Sequence, residues 1–282
     1  MLIFNSKAVV ERRGFRPKFS MKLTIMGILS GVAFATLGIS GIAEAFQLIP
    51  SGLSPGNQYR LVFVTDGTIQ ATSTDINTYN TFVDNEAHTS TILNDAFTNV
   101  GIDPASITWK VIGSTASVNA INNTSTNTVD TSVPIYGLDG KLIAFGNSDL
   151  WDGDICPHIP AAGIICHDGG ISMSQSGHYL FGDVWTGTLS SGVAWSEPNL
   201  GPLGSVPVTI GSSYGTNVTW IRYGSDFGPG FNGPVAFRPL YGISSVLTVP
   251  TPTATTPEPS SLLGFITLGG LMLGGTVRKA RK

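Results

Sequence analysis

The chain has 282 residues and a formal net charge of −3, but ten of its fifteen Lys and Arg lie outside residues 46–257. Inside that stretch Arg60, Lys110, Lys141, Arg222 and Arg238 stand against fifteen Asp and Glu, a net −10. An acidic body without a basic stripe argues against nucleic-acid binding, whose affinity comes largely from neutralising phosphates.

Residues 1–20 (MLIFNSKAVVERRGFRPKFS) are basic, and from Met21 the chain reads MKLTIMGILSGVAFATLGISGIAEAF. Lys22 serves as an n-region, residues 23–43 are apolar, and Ala43 and Ala45 occupy the two positions that a signal peptidase reads. This predicts a signal peptide over 1–45, cleaved before Phe46, with the start at Met1 or Met21. The apolar stretch is long for a signal peptide, so an uncleaved anchor is the alternative.

The body, residues 46–249, is rich in Gly, Ser, Thr and Asn and poor in Lys and Glu, a composition that favours strands and loops over exposed helices. Residues 59–65 (YRLVFVT) predict a first strand, bounded by Gly56-Asn57 and Asp66-Gly67. Residues 75–83 carry Ile76, Tyr79, Phe82 and Val83 at helical spacing behind Asp75 as cap, and residues 87–100 predict a second helix. Short apolar runs at 107–112, 142–145, 182–185 and 218–222 read as strands or buried segments between long loops. The run 240–249 (LYGISSVLTV) reads as a returning strand that pairs with the first.

Residues 248–259 form a Thr/Pro tract suited to an extended linker, so the domain ends near Val249. Residues 261–277 (SLLGFITLGGLMLGGTV) are free of charge and long enough for a transmembrane helix. Arg278, Lys279, Arg281 and Lys282 then predict a cytoplasmic C-terminus and an exported body. Pro257-Glu258-Pro259, the span and the basic end together resemble the PEP-CTERM sorting signal. The resemblance implies recognition of the Pro-Glu-Pro region by an exosortase, which processes the tail during delivery to the cell surface. A plain C-terminal membrane anchor is the alternative.

The order of LVFVT (61–65), TWKVIGSTASVNA (108–120), VPIYGLDGKLIAFGNSDLWDG (133–153), VWTGTLSSG (184–192), NVTW (217–220) and LYGIS (240–244) resembles bacterial C-type-lectin-like and endostatin-like domains. That resemblance implies an α+β fold: a small antiparallel sheet, two helices and long loops, here between the signal helix and the transmembrane helix. Within it, Glu197-Pro198-Asn199 is the tripeptide with which sugar-binding members hold calcium and vicinal hydroxyls. The partner Trp-Asn-Asp is missing, since Ile221 and Arg222 follow Trp220.

Asp149, Asp152 and Asp154 offer hard oxygen ligands for calcium, although Asp-Gly pairs are first of all turn chemistry and the terminal Glu of an EF-hand loop is absent. Cys156 and Cys166, the only cysteines of an exported chain, predict a disulfide; His158 and His167 beside them keep a zinc site open. Trp109, Trp151, Trp185, Trp195 and Trp220 would make a sugar platform if exposed and a core if buried. No Gly-x-Ser-x-Gly elbow, His-Glu-x-x-His helix or phosphate loop occurs. The chain therefore reads as a non-enzymatic binding or structural protein of the envelope, contacting exopolysaccharide. A calcium-dependent lectin and a polysaccharide hydrolase are the alternatives.

Overall fold

A computed structural model describes residues 46–127, 133–155, 158–159, 163–164, 170–195, 199–226 and 233–252. The predicted signal peptide with Ala43 and Ala45, Cys156, Cys166, Glu197, Pro257, Glu258, Pro259 and the predicted C-terminal span lie outside the described residues. Among those described, no helix is long and apolar enough to cross a membrane.

In chain order the elements are β1 (Gln58–Val64), β2 (Ile69–Gln70), α1 (Ile76–Thr89), α2 (Thr91–Asn99), β3 (Trp109–Val111), α3 (Ala120–Asn123), β4 (Ile135–Gly137) and β5 (Leu142–Ala144). There follow α4 (Asn147–Leu150), β6 (His158–Ile159), β7 (Gly163–Ile164), β8 (Asp183–Trp185), β9 (Val208–Ser212), β10 (Gly224–Asp226), β11 (Phe237–Arg238), β12 (Tyr241–Ser244) and β13 (Leu247–Thr248). The class is α+β.

The main sheet runs β3-β12-β1-β4-β5, with β13 also on β1. From Leu61 to Val64 β1 is apolar on both faces because both are covered. Tyr59, Leu61 and Phe63 enter one core with Tyr79, Val83, Leu93 and Phe97 of the helices, while Val62 and Val64 enter a second with Ile135, Trp151, Trp220 and Ile243. The chain's return does pair with its beginning: Val62 faces Ile243 and Tyr59 faces Leu247, both antiparallel. The return strand spends one residue more than β1 over that interval, so a bulge falls at Ser245 and Val246, opposite Arg60.

The sheet departs from the antiparallel arrangement expected, since β4 lies parallel to β1, with Arg60 opposite Ile135 and Val62 opposite Gly137. A parallel neighbour requires a long crossover. Here α1, α2, β3 and α3 supply it.

α1 begins where the sequence places it, Asp75 Oδ1 accepting from Asn77 N at 3.0 Å, but continues past Val83 to Thr89 because Ala87 extends the buried stripe. Ser90 both ends it and starts α2. Its N–H reaches Ala87 O at 3.3 Å, and its Oγ accepts from Leu93 N at 3.3 Å. α1 packs close to the sheet over Gly242, where a Cβ would come within 2.5 Å of the Phe63 ring and 2.6 Å of Val83.

The run 218–222, expected as a strand or a buried segment, is the latter: Trp220 and Ile221 are buried, on a turn of 3-10 helix, Val218–Trp220, which Asn217 Oδ1 caps by accepting from Thr219 N at 3.0 Å. β9, buried at Val208, Thr209 and Ile210 between β8 and β10, is a strand that the listing of apolar runs passed over.

Candidate functional site

The tryptophans do not form a platform. Trp109, Trp151, Trp185 and Trp220 are buried in the two cores, and Trp195 is half-buried beneath Arg222, whose guanidinium carbon lies 4.9 Å from its ring centroid.

Exposed aromatic surface is gathered elsewhere. After residue 170 the chain runs out and back through a tight turn, with Ser174 N donating to His178 O at 2.8 Å and Gly177 at φ 81° closing it. Leu180 N then pairs with Ser172 O at 2.7 Å. In this extended segment alternate side chains take opposite sides. Leu180 packs against the second core, so its neighbours Tyr179 and Phe181 are turned outward, 49% and 64% exposed.

Their rings are nearly parallel, 5° apart in plane at a centroid separation of 6.4 Å. Tyr214, 61% exposed, meets Phe181 edge-on at 5.7 Å. Its position follows from buried Ser213, whose Oγ donates to Leu180 O at 2.8 Å and accepts from Gly182 N at 2.9 Å. The three rings thus stand on a hydrogen-bonded backbone.

The β4–β5 turn supplies charge beside them. Gly140 at φ 76° allows the turn, and Asp139 Oδ1 accepts from Lys141 N at 3.3 Å. Asp139 Oδ2 pairs with Lys141 Nζ at 3.0 Å and accepts from Tyr179 Oη at 3.4 Å, while Lys141 Nζ lies 5.4 Å from the Tyr179 ring centroid. Burial, and then the Asp139 charge, push the Tyr179 phenol up from its usual value. It remains a neutral hydroxyl. Grouped apolar faces with a carboxylate and an ammonium at their edge suit a ligand that has a flat C–H face and a hydroxyl rim.

Asp149 and Asp152 serve the backbone. Asp149 Oδ2 accepts from Phe145 N at 2.7 Å, and Asp152 Oδ1 from Asp154 N at 3.2 Å. Partial burial, with the Asp154 and Asp149 charges adding to it, raises the Asp152 carboxyl. Asn199 is exposed. Among the described residues no three His, Cys, Asp or Glu side chains are grouped to hold a metal ion.

A Ser, a His and an Asp do come together, but in the wrong order for a hydrolase. Ser176 Oγ donates to Asp66 Oδ2 and lies 3.1 Å from His178 Nδ1. In a triad the His stands between and takes the Ser proton. Here Ser176 Oγ contacts both groups, and His178 does not stand between Ser176 and Asp66.

The aromatic terrace was not singled out from the sequence. Its signal is the Tyr-x-Phe alternation of HYLFGD, which fixes a shared side without saying which side is wet. Compared with known proteins, the chain matches no family model and shows no significant similarity to any curated protein.

Proposed function

We propose that the chain is an exported, non-enzymatic protein of the envelope that binds polysaccharide through Tyr179, Phe181 and Tyr214. The observation that carries this is their joint exposure on a rigid backbone. A soluble surface scatters single aromatics, whereas a grouped and oriented set serves a partner. Pyranose rings present axial C–H bonds to the ring faces, and Asp139 accepts from their hydroxyls. Export and sorting rest on the signal-like N-terminus and on Pro257-Glu258-Pro259, with signal peptidase and an exosortase as processing partners. The pairing of the first strand with the last beneath two helices supports the C-type-lectin-like reading of the body.

The test is retardation of the full-length chain, held in neutral detergent, by the producing cell's own exopolysaccharide in a native gel, with and without calcium. The Phe181→Ala/Tyr214→Ala double variant is expected to lose retardation at least tenfold in apparent affinity, about 1.4 kcal/mol or more, with an unchanged melting temperature. Retardation equal to the parent's would reject the terrace. Dependence on calcium, lost in Glu197→Ala, would move the site to the lectin loop.

A further inference from the structure

The body has five cationic side chains. Lys141 is paired with Asp139, Arg238 with Asp183 at 2.8 Å, and Arg222 lies over Trp195. The remaining two, Arg60 and Lys110, line one cavity of about 240 Å³. The sheet places them together. Arg60 alternates with Val62 on β1, Val62 faces Ile243, and Ile243 faces Lys110 on β3, so both cations project from the same face. Among the described residues no carboxylate pairs with either.

Arg60 is only 7% exposed. It donates from one guanidinium nitrogen to Thr124 O at 2.7 Å. A buried guanidinium with a single neutral acceptor carries a desolvation cost that one carbonyl does not offset. That burial lowers its pKa. Around it the cavity wall is hydroxylic, formed by Thr108, Thr124, Ser125, Ser244 and Ser245. Ser125 is the one described non-glycine residue at positive φ, 55°, where it turns the chain after α3.

We propose that this cavity binds an oxyanion, Arg60 and Lys110 supplying the charge and the hydroxyls of Thr108, Ser125, Ser244 and Ser245 the remaining donors. A planar guanidinium fork beside an ammonium matches a carboxylate, phosphate or sulfate. The group belongs either to an acidic sugar or to a free inorganic ion. A neutral ligand would leave the buried cation uncompensated. The site is distinct from the aromatic terrace and does not depend on it.

Calorimetric titration of the full-length chain in neutral detergent with sodium glucuronate, inorganic phosphate and glucose tests this. Saturable binding of glucuronate or phosphate is expected, with none of glucose. Tighter glucuronate binding assigns the acidic sugar, and a response to phosphate alone assigns the inorganic ion. Lys110→Gln, which does not touch the Thr124 contact, is expected to weaken binding about tenfold without lowering the melting temperature. Phe181→Ala is expected to bind the anion as the parent does. No saturable heat from either anion up to about 10 mM, the range of a weak site, would overturn the proposal. So would a Lys110→Gln variant that binds like the parent, or loss of anion binding in Phe181→Ala.

Discussion

Tyr59 shows how one side chain links burial to pH. Its ring fills the helix-side core, yet its hydroxyl is buried without a hydrogen-bond partner among the described residues. Burial pushes the phenol up to about 12, from 10.0. Tyr79, which donates to Ser73 O at 2.7 Å, is likewise pushed to about 12 by burial. Both hold their protons more tightly folded than unfolded. Between about pH 10 and pH 12 the unfolded chain releases protons that the folded chain keeps, so stability is full below that window and falls as pH rises through it. Each tyrosine accounts for about 2–3 kcal/mol of that loss. Tyr59→Phe removes one contribution and also the unpaired hydroxyl. Its urea midpoint should equal or slightly exceed the parent's at neutral pH, by up to about 1 kcal/mol in stability, and should fall less steeply on going to alkaline pH. A slope equal to the parent's would show that Tyr59 titrates alike in both states.

At the scale of elements, the exposed side of β3 is the weak point of the main sheet, because an edge strand offers unpaired backbone groups. Side chains cover it. Asp84 Oδ1 accepts from Trp109 N at 2.9 Å, and Asn80 Oδ1 accepts from Val111 N at 3.0 Å. Asn123 donates to Val111 O at 2.9 Å, accepts from Asn80 Nδ2 at 2.9 Å and donates to Asn80 Oδ1 at 2.8 Å. α1 and α3 thereby close the sheet that β3 leaves open. Asn80→Ala is expected to destabilise by about 2–4 kcal/mol, since it strands a buried backbone donor together with the Asn123 amide. Faster hydrogen exchange at the Val111 amide, read by NMR, would locate the damage. A loss below about 0.5 kcal/mol, the level of an ordinary surface change, would show that water replaces the side chain there. Asp75 and the helical spacing of 75–83 were legible because capping and amphipathic period are local. The edge contacts were not, as nothing in the sequence near Asn80 tells which strand it meets.

At the scale of the whole molecule, two cores share one sheet, and β1 runs between them. Phe46 is partly buried against the helix-side core, and Leu48 is buried there. At the other end Val249 N donates to Asn57 O at 2.9 Å, so the described body starts and stops within hydrogen-bonded structure. Removal of residues 1–45 leaves these contacts intact. The mature chain recovered from the cell surface is expected to begin at Phe46 and to have lost Arg278, Lys279, Arg281 and Lys282, as read by intact mass. A mass that retains the basic end would indicate a plain membrane anchor instead.

The first strand, the start of α1 and the acidic charge of the body are legible in the order of amino acids alone. These follow from local period, capping chemistry and composition, which are properties of neighbouring residues. Long-range packing sets β4 parallel to β1, makes four tryptophans core and turns Asp149 and Asp152 to the backbone. It alone brought Tyr179, Phe181 and Tyr214 into one terrace and left Arg60 and Lys110 in one cavity. Alternation assigns side chains to a common face, but which face meets solvent depends on what the rest of the chain covers.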